Sequence, residues 1–164
     1  MTNNHSQLRT LLANALIMGL YVVLSLVLPV SSGAIQFRLS ESLNHLVVFN
    51  RKLMWGVLGG VLLFNLFFGY GILDVIFGGA QTFLALTASA LLQKKVKNIK
   101  TRMLLNIFFF TISMFMIAIM LHITAELPFW LTYGTTALSE LIIMSLSAPV
   151  MYYIDSKLHF ADKA

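Results

Sequence analysis

Apolar runs of membrane-spanning length, separated by short polar breaks, limit what this chain can fold into. Residues 11–30 form the first run. At about 1.5 Å per residue, about 20 apolar residues cross a hydrocarbon core roughly 30 Å thick. Further runs occupy 53–68, 72–92, 103–123 and 129–154, with a shorter one at 38–50. In a chain of 164 residues, 59% apolar and 10% charged, that leaves no room for a soluble catalytic domain and excludes a disordered polymer. The expectation is an all-α polytopic membrane protein with one domain over 1–164, a bundle of six transmembrane helices.

The breaks between runs have local causes. Pro29 and the Ser31-Ser32-Gly33 that follow end the first helix. The small residues 31–34 resemble a signal-peptide cleavage region, but the run before them is longer than a usual signal core and more spans follow, so a first span is expected. The 38–50 run is short for a crossing, and a re-entrant segment is the alternative. Gly56, Gly59 and Gly60 offer a face on which a neighbouring helix can pack closely. Gly69-Tyr70-Gly71 turns the chain, and Glu126-Leu127-Pro128 breaks it again.

The net charge of +5 reports orientation, because Lys and Arg collect in cytoplasmic loops. With six spans and a cytoplasmic amino terminus, Arg9, Arg51, Lys52, the 94–102 cluster, Lys157 and Lys163 all fall on the cytoplasmic side. Of the 11 basic residues only Arg38 does not. Five or seven spans do not reproduce this, so both termini are expected in the cytoplasm of a multi-pass cell-membrane protein. The chain has no cysteine, which removes disulfide, iron–sulfur and zinc-thiolate chemistry.

Against this apolar background the polar residues stand out, since an ionisable group at membrane depth costs a few kcal/mol and marks a site by default. Gln36, Phe37, Arg38 and Glu41 lie within residues 33–43, Gly-Ala-Ile-Gln-Phe-Arg-Leu-Ser-Glu-Ser-Leu. The expected topology brings them to the same outer half as Asn65, Tyr70, Asp74 and Gln81, and as Glu126, Trp130, Tyr133 and Glu140. Glu140 falls about 18 Å beyond Pro128 along a helix, near the bilayer middle. Carboxylates, an arginine, amides and flat aromatic surfaces together suit a flat polar heterocycle: a carboxylate accepts paired N–H donors from a guanine-like edge, and rings cover its faces. Each residue also has a structural reading. Arg38 and Glu41 can pair with one another, Trp130 and Tyr70 can anchor at the interface, and Asn65 and Gln81 can join helices.

Enzyme signatures are lacking. There is no Walker lysine motif, His5, His45, His122 and His159 have no metal-ligand spacing, and Ser40 has no partner beyond His45 to activate it. No catalytic residue and no metal site is expected. Helix 1 carries Ala15 and Gly19, a small-xxx-small spacing that admits close approach of another helix.

The string at 33–43, with Asn65 and then Leu73-Asp74-Val75-Ile76-Phe77-Gly78, resembles the QueT family of queuosine-precursor transporters over roughly 11–158. The resemblance implies the substrate-binding subunit of an energy-coupling factor (ECF) transporter, taking up a 7-deazaguanine: the 7-cyano form, the 7-aminomethyl form or queuine. It implies as partners a transmembrane coupling subunit (EcfT) and two cytoplasmic ATPase subunits (EcfA and EcfA'), with ATP used by them and no cofactor in this chain. The family's docking motif in helix 1, usually Ala-xxx-Ala, corresponds here to Ala15 and Gly19. The resemblance leaves open which of Glu41, Asp74, Glu126 and Glu140 meets which part of the ligand. A carrier or channel working alone, coupled to protons or cations through Asp74 and Glu140, is the competing reading, and a small membrane enzyme ranks below it.

Overall fold

The computed structural model describes residues 2–27, 37–93 and 95–160. Every regular element among them is helical. Helix α1 spans Thr2–Val27, α3 Met54–Phe68, α4 Ile72–Leu92, α5 Ile99–Ser113, α6 Phe115–Ala125 and α7 Phe129–Leu158. Between α1 and α3 runs an irregular segment, a 3-10 helix Leu39–His45, one α-helical turn Leu46–Phe49 (α2) and a second 3-10 turn Arg51–Leu53. Among the described residues, five helical stretches are long and apolar enough to cross a membrane: His5–Val27, Arg51–Phe68, Ile72–Leu92, Ile99–Ala125 and Phe129–Leu158.

The sixth expected span is therefore not a membrane-length helix. The seven residues of 3-10 helix and four of α2 extend only roughly 20 Å. Ser42 Oγ donates to Leu39 O at 2.7 Å, a local bond that competes with regular helix. Residues 43–50 are all buried in the bundle, and irregular backbone is tolerated at membrane depth only where protein covers it. Leu46, Val47 and Val48 are the middle of the main apolar core, packed with Tyr21, Val57, Leu86, Phe110 and Met144.

This segment nonetheless carries the chain back along α1. Ser25 Oγ donates to Ser40 Oγ at 2.7 Å, whereas Asn14 Nδ2, three turns earlier on α1, donates to Lys52 O at 3.1 Å. From there α3 runs parallel to α1: Gly56 lies against Asn14 and Gly60 against Tyr21. The approach needs glycine, since a Cβ on Gly56 would stand 2.7 Å from Asn14 O. The glycine face expected on this helix is thus its contact with α1. After the turn at Gly71, whose φ of +96° favours glycine, α4 returns antiparallel.

Two other boundaries differ from expectation. Asn98 Oδ1 accepts from Lys100 N at 2.9 Å and caps α5, so Lys100 and Arg102 lie in the first turns of a helix and not in a loop. The fifth span also breaks at Met114, dividing it into α5 and α6. Pro149 sits inside α7 without ending it.

At one end of the bundle Asn50 Nδ2 donates to Phe160 O at 3.0 Å, Gln93 Nε2 to Val47 O, and Arg102 to Gln93 O at 2.8 Å. The start of α1 and the end of α7 share this end with Arg51, Lys52, Lys95, Lys97, Lys100, Arg102 and Lys157. Lys94 and Lys163 lie outside the described residues, as do Pro29 and the small residues 31–34.

Candidate functional site

A smaller apolar cluster, Met114, Ile117, Met120 and Leu121 with Leu73, Phe77 and Tyr133 packed against it, stands apart from the main core. Between the two clusters opens a cleft lined by Arg38, Glu41, Val61, Asn65, Gly78, Gln81, Thr82, Met114 and Ile117. Its walls come from five elements: the start of the irregular segment, α3, α4, the α5–α6 break and α6.

Glu41 is buried but held as an acceptor. Its Oε1 accepts from Tyr21 Oη at 2.9 Å and its Oε2 from Asn44 Nδ2 at 2.6 Å. A carboxylate offers about four acceptor positions, so it can still receive donors from the cleft. Arg38 lies with its guanidinium carbon 5.3 Å from the centre of the Phe64 ring, within cation–π range. Asn65, 1% exposed, donates to Asp74 O at 3.1 Å. Gln81 is engaged on both ends, donating to Ser113 Oγ at 2.8 Å and accepting from Thr82 Oγ1 at 3.0 Å.

Buried polar atoms without partners gather here. Arg38 Nε and Asn65 Oδ1 belong to residues lining the cleft, and Asn44 Oδ1 and Glu140 Oε1 to residues beside Glu41. A buried polar group without a partner costs about 1–3 kcal/mol, so such a concentration marks a place where a polar ligand or water completes the bonding. Glu140, 2% exposed, does not line the cleft; it faces the charges of Glu41 and Arg38 with the Asn44 side chain adjacent. Two carboxyl groups and one guanidinium thus lie near one another, the guanidinium resting over the Phe64 ring.

The other expected residues do different work. Asp74, also buried, accepts from Tyr70 N at 3.1 Å through Oδ2 and stabilises the α3–α4 turn. Tyr70 is exposed, and Trp130, 79% exposed, packs edge-on to Phe129 on the outside of α7. Tyr133 stacks on Phe129 with ring centres 6.2 Å apart, and Glu126 is an exposed left-handed residue ending α6. Phe37 packs half-buried against the main core, and Gln36 lies outside the described residues. Ala15 and Gly19 are exposed on the outer face of α1, where a Cβ on Gly19 would meet no atom within 4 Å.

Sequence reasoning did not select Tyr21, Asn44, Phe64, Thr82 or Met114. Tyr21 carried a usable signal: with Ser25 it makes a polar i, i+4 pair in an otherwise apolar run. Of the histidines, His45 Nε2 bonds Met144 O at 2.9 Å and His122 Nδ1 bonds Leu127 O at 2.7 Å, so each has a structural partner. No group of three or more His, Cys, Asp or Glu suited to a metal occurs among the described residues.

The cleft has a volume of only ≈ 20 Å³. That is room for about one water. A larger ligand needs the walls to part.

The family described as QueT transporter matches residues 11–156. The queuosine precursor transporter QueT of Lactococcus lactis subsp. cremoris (strain MG1363) is 37% identical over 147 residues, covering 84% of this chain and 86% of that protein. No solved structure matches the chain. A polytopic helical bundle with a polar cleft inside it, and a match over nearly all its length to a family of transporters and not of enzymes, identify the chain as a member of the QueT transporter family.

Proposed function

We propose that this protein is the substrate-binding membrane subunit of an energy-coupling factor importer and takes up a 7-deazaguanine precursor of queuosine. The observation that carries the ligand class is the gathering of unpartnered buried polar atoms, Arg38 Nε, Asn65 Oδ1 and Glu140 Oε1, around an anchored carboxylate. Glu41 accepts the paired N–H donors of the guanine-like edge, Arg38 donates to its carbonyl oxygen, and Asn65 Oδ1 accepts from a ring N–H. Val61, Met114 and Ile117 cover its faces. Glu140, the deeper carboxylate, is the second acid of the site. Two acids against one guanidinium leave room for a positive charge, which favours the 7-aminomethyl base and queuine over the 7-cyano form.

The chain passes the membrane six times, with the buried segment 38–53 as the second passage and both termini cytoplasmic. Support comes from α3 lying parallel to α1 and from the gathering of basic residues at one end, as on a cytoplasmic face. EcfT docks on the outer face of α1 at Ala15 and Gly19, and the two ATPase subunits supply ATP hydrolysis. The uncovered small-residue face of α1 supports this assignment.

Purification in detergent followed by mass spectrometry of whatever small molecule accompanies the protein tests the reading, with isothermal titration against the three precursors, guanine and adenine. A 7-deazaguanine is expected in the preparation and adenine is expected not to bind. Equal binding of guanine-like and adenine-like bases would refute the assigned roles. Uptake into liposomes by the single chain without ATP would refute the ECF assignment.

A further inference from the structure

On the outside of the bundle, α5 and α7 part to leave an apolar groove of ≈ 470 Å³. The cause is local. Ala148 and Pro149 put little bulk on α7 opposite Leu104 and Ile107 of α5. Two of the residues lining it, Lys100 and Tyr152, carry a polar end. Lys100 is in the first turn of α5, and the N–H groups of that turn are already bonded to Asn98, so the exposed side chain is the cation the groove presents. Lys95 and Lys97, both exposed, lie just before it.

We propose that this groove binds an anionic phospholipid, with the phosphate on Lys100 and the Tyr152 hydroxyl and one acyl chain lying along Leu104 and Ile107 against Ala148 and Pro149. From Lys100 to Ile107 is about 10 Å along the helix, running from the basic end of the bundle toward its middle, as an acyl chain runs from its headgroup. Leu104 is 67% exposed, so the groove is open sideways to the bilayer. A basic pocket between membrane helices is where an anionic headgroup is held, by charge at the mouth and apolar contact below. The groove is also separate from the outer face of α1, because α1 packs mainly on α3 and the irregular segment while α5 packs mainly on α4 and α7.

The test is native mass spectrometry of the full chain in detergent with added palmitoyl-oleoyl phosphatidylglycerol, palmitoyl-oleoyl phosphatidylcholine or palmitate. One phosphatidylglycerol is expected to remain bound, with a preference of about fivefold over phosphatidylcholine, since one lysine supplies the discrimination. Lys100→Gln should abolish the preference, Ala148→Leu should fill the groove and remove the lipid, and Lys157→Gln, outside the groove, should change neither. Equal retention of the two lipids, palmitate bound as well as phosphatidylglycerol, or a preference that survives Lys100→Gln would overturn the proposal. So would a dimer mass that Ala148→Leu removes, because the groove would then join copies of the chain. If Ala148→Leu does not fold, Leu104→Trp in vesicles gives an independent reading. Its fluorescence, after subtraction of the parent signal from Trp55 and Trp130, should be quenched more by dibrominated phosphatidylglycerol than by dibrominated phosphatidylcholine, and equal quenching overturns the proposal.

Discussion

Replacing Glu41 by Gln separates the role of this carboxylate in holding the cleft from its role in reading a ligand. In the folded protein Glu41 receives Tyr21 Oη on one oxygen and Asn44 Nδ2 on the other. The amide introduced by Glu41→Gln can keep its oxygen toward Tyr21, which leaves its NH₂ facing the Asn44 amide. Asn44 Oδ1 has no partner, so a flip of that amide turns a donor–donor conflict into a hydrogen bond. The fold therefore survives, helped by removal of one of two neighbouring buried acids. A bound base feels the change directly. One of its two N–H donors now meets an NH₂, and the other meets a neutral oxygen in place of a charged one. Loss of a charge-assisted hydrogen bond costs about 1.5–3 kcal/mol, a fall in affinity of roughly 10-fold to 150-fold. Isothermal titration of purified Glu41→Gln with a 7-deazaguanine measures it, and thermal unfolding without ligand controls for damage to the fold. Glu140→Gln is the comparison, and it should weaken the amine-bearing bases more than the 7-cyano form. If Glu41→Gln binds within about threefold of the parent while Glu140→Gln loses all three bases together, the deeper carboxylate is the reader and the cleft assignment is wrong.

Tyr21→Phe removes only the hydroxyl that positions Glu41; a neutral-donor bond of about 1 kcal/mol predicts a fall in affinity of roughly fivefold by titration, with uptake reduced in proportion. Ala15→Trp and Gly19→Trp should leave ligand binding unchanged in the isolated subunit and abolish uptake in cells, because both positions face outward; loss of binding in the isolated subunit would place them inside the bundle instead. In this cysteine-free chain, Tyr70→Cys should react with an impermeant maleimide added to whole cells and Lys97→Cys should not, and the reverse pattern would invert the topology. Gly56→Ala should lower thermal stability by about 1–3 kcal/mol, read as a lower midpoint in detergent, because its Cβ would overlap the Asn14 backbone.

The parts of the fold that were legible in the sequence are those set by one residue against its immediate neighbours. Gly69-Tyr70-Gly71 and Glu126-Leu127-Pro128 stop helices by backbone geometry, and the turns fall there. The segment 38–50 left a span and a re-entrant segment both open because its leucines and valines read the same whether they face lipid or a protein core. Its Ser40, Glu41, Ser42, Asn44 and His45 are what distinguish it, since a lipid-facing helix has no use for five polar side chains in six residues, whereas a buried irregular segment needs partners for its own backbone and for its neighbours. The site divides along the same line. Arg38, Glu41, Asn65 and Gln81 were visible as polar groups at membrane depth, and they meet in the cleft. Asp74 was equally visible, but its partner is the Tyr70 N–H, a backbone group that no pattern of side chains announces. Trp130 and Tyr70 fall outside the cleft because amphipathic aromatics also suit an interface, and composition carries no information about which way a ring turns on its helix. Asn44 was passed over because an uncharged amide in a short run draws no notice until the fold sets it between two acids. There it donates to Glu41 and stands beside Glu140.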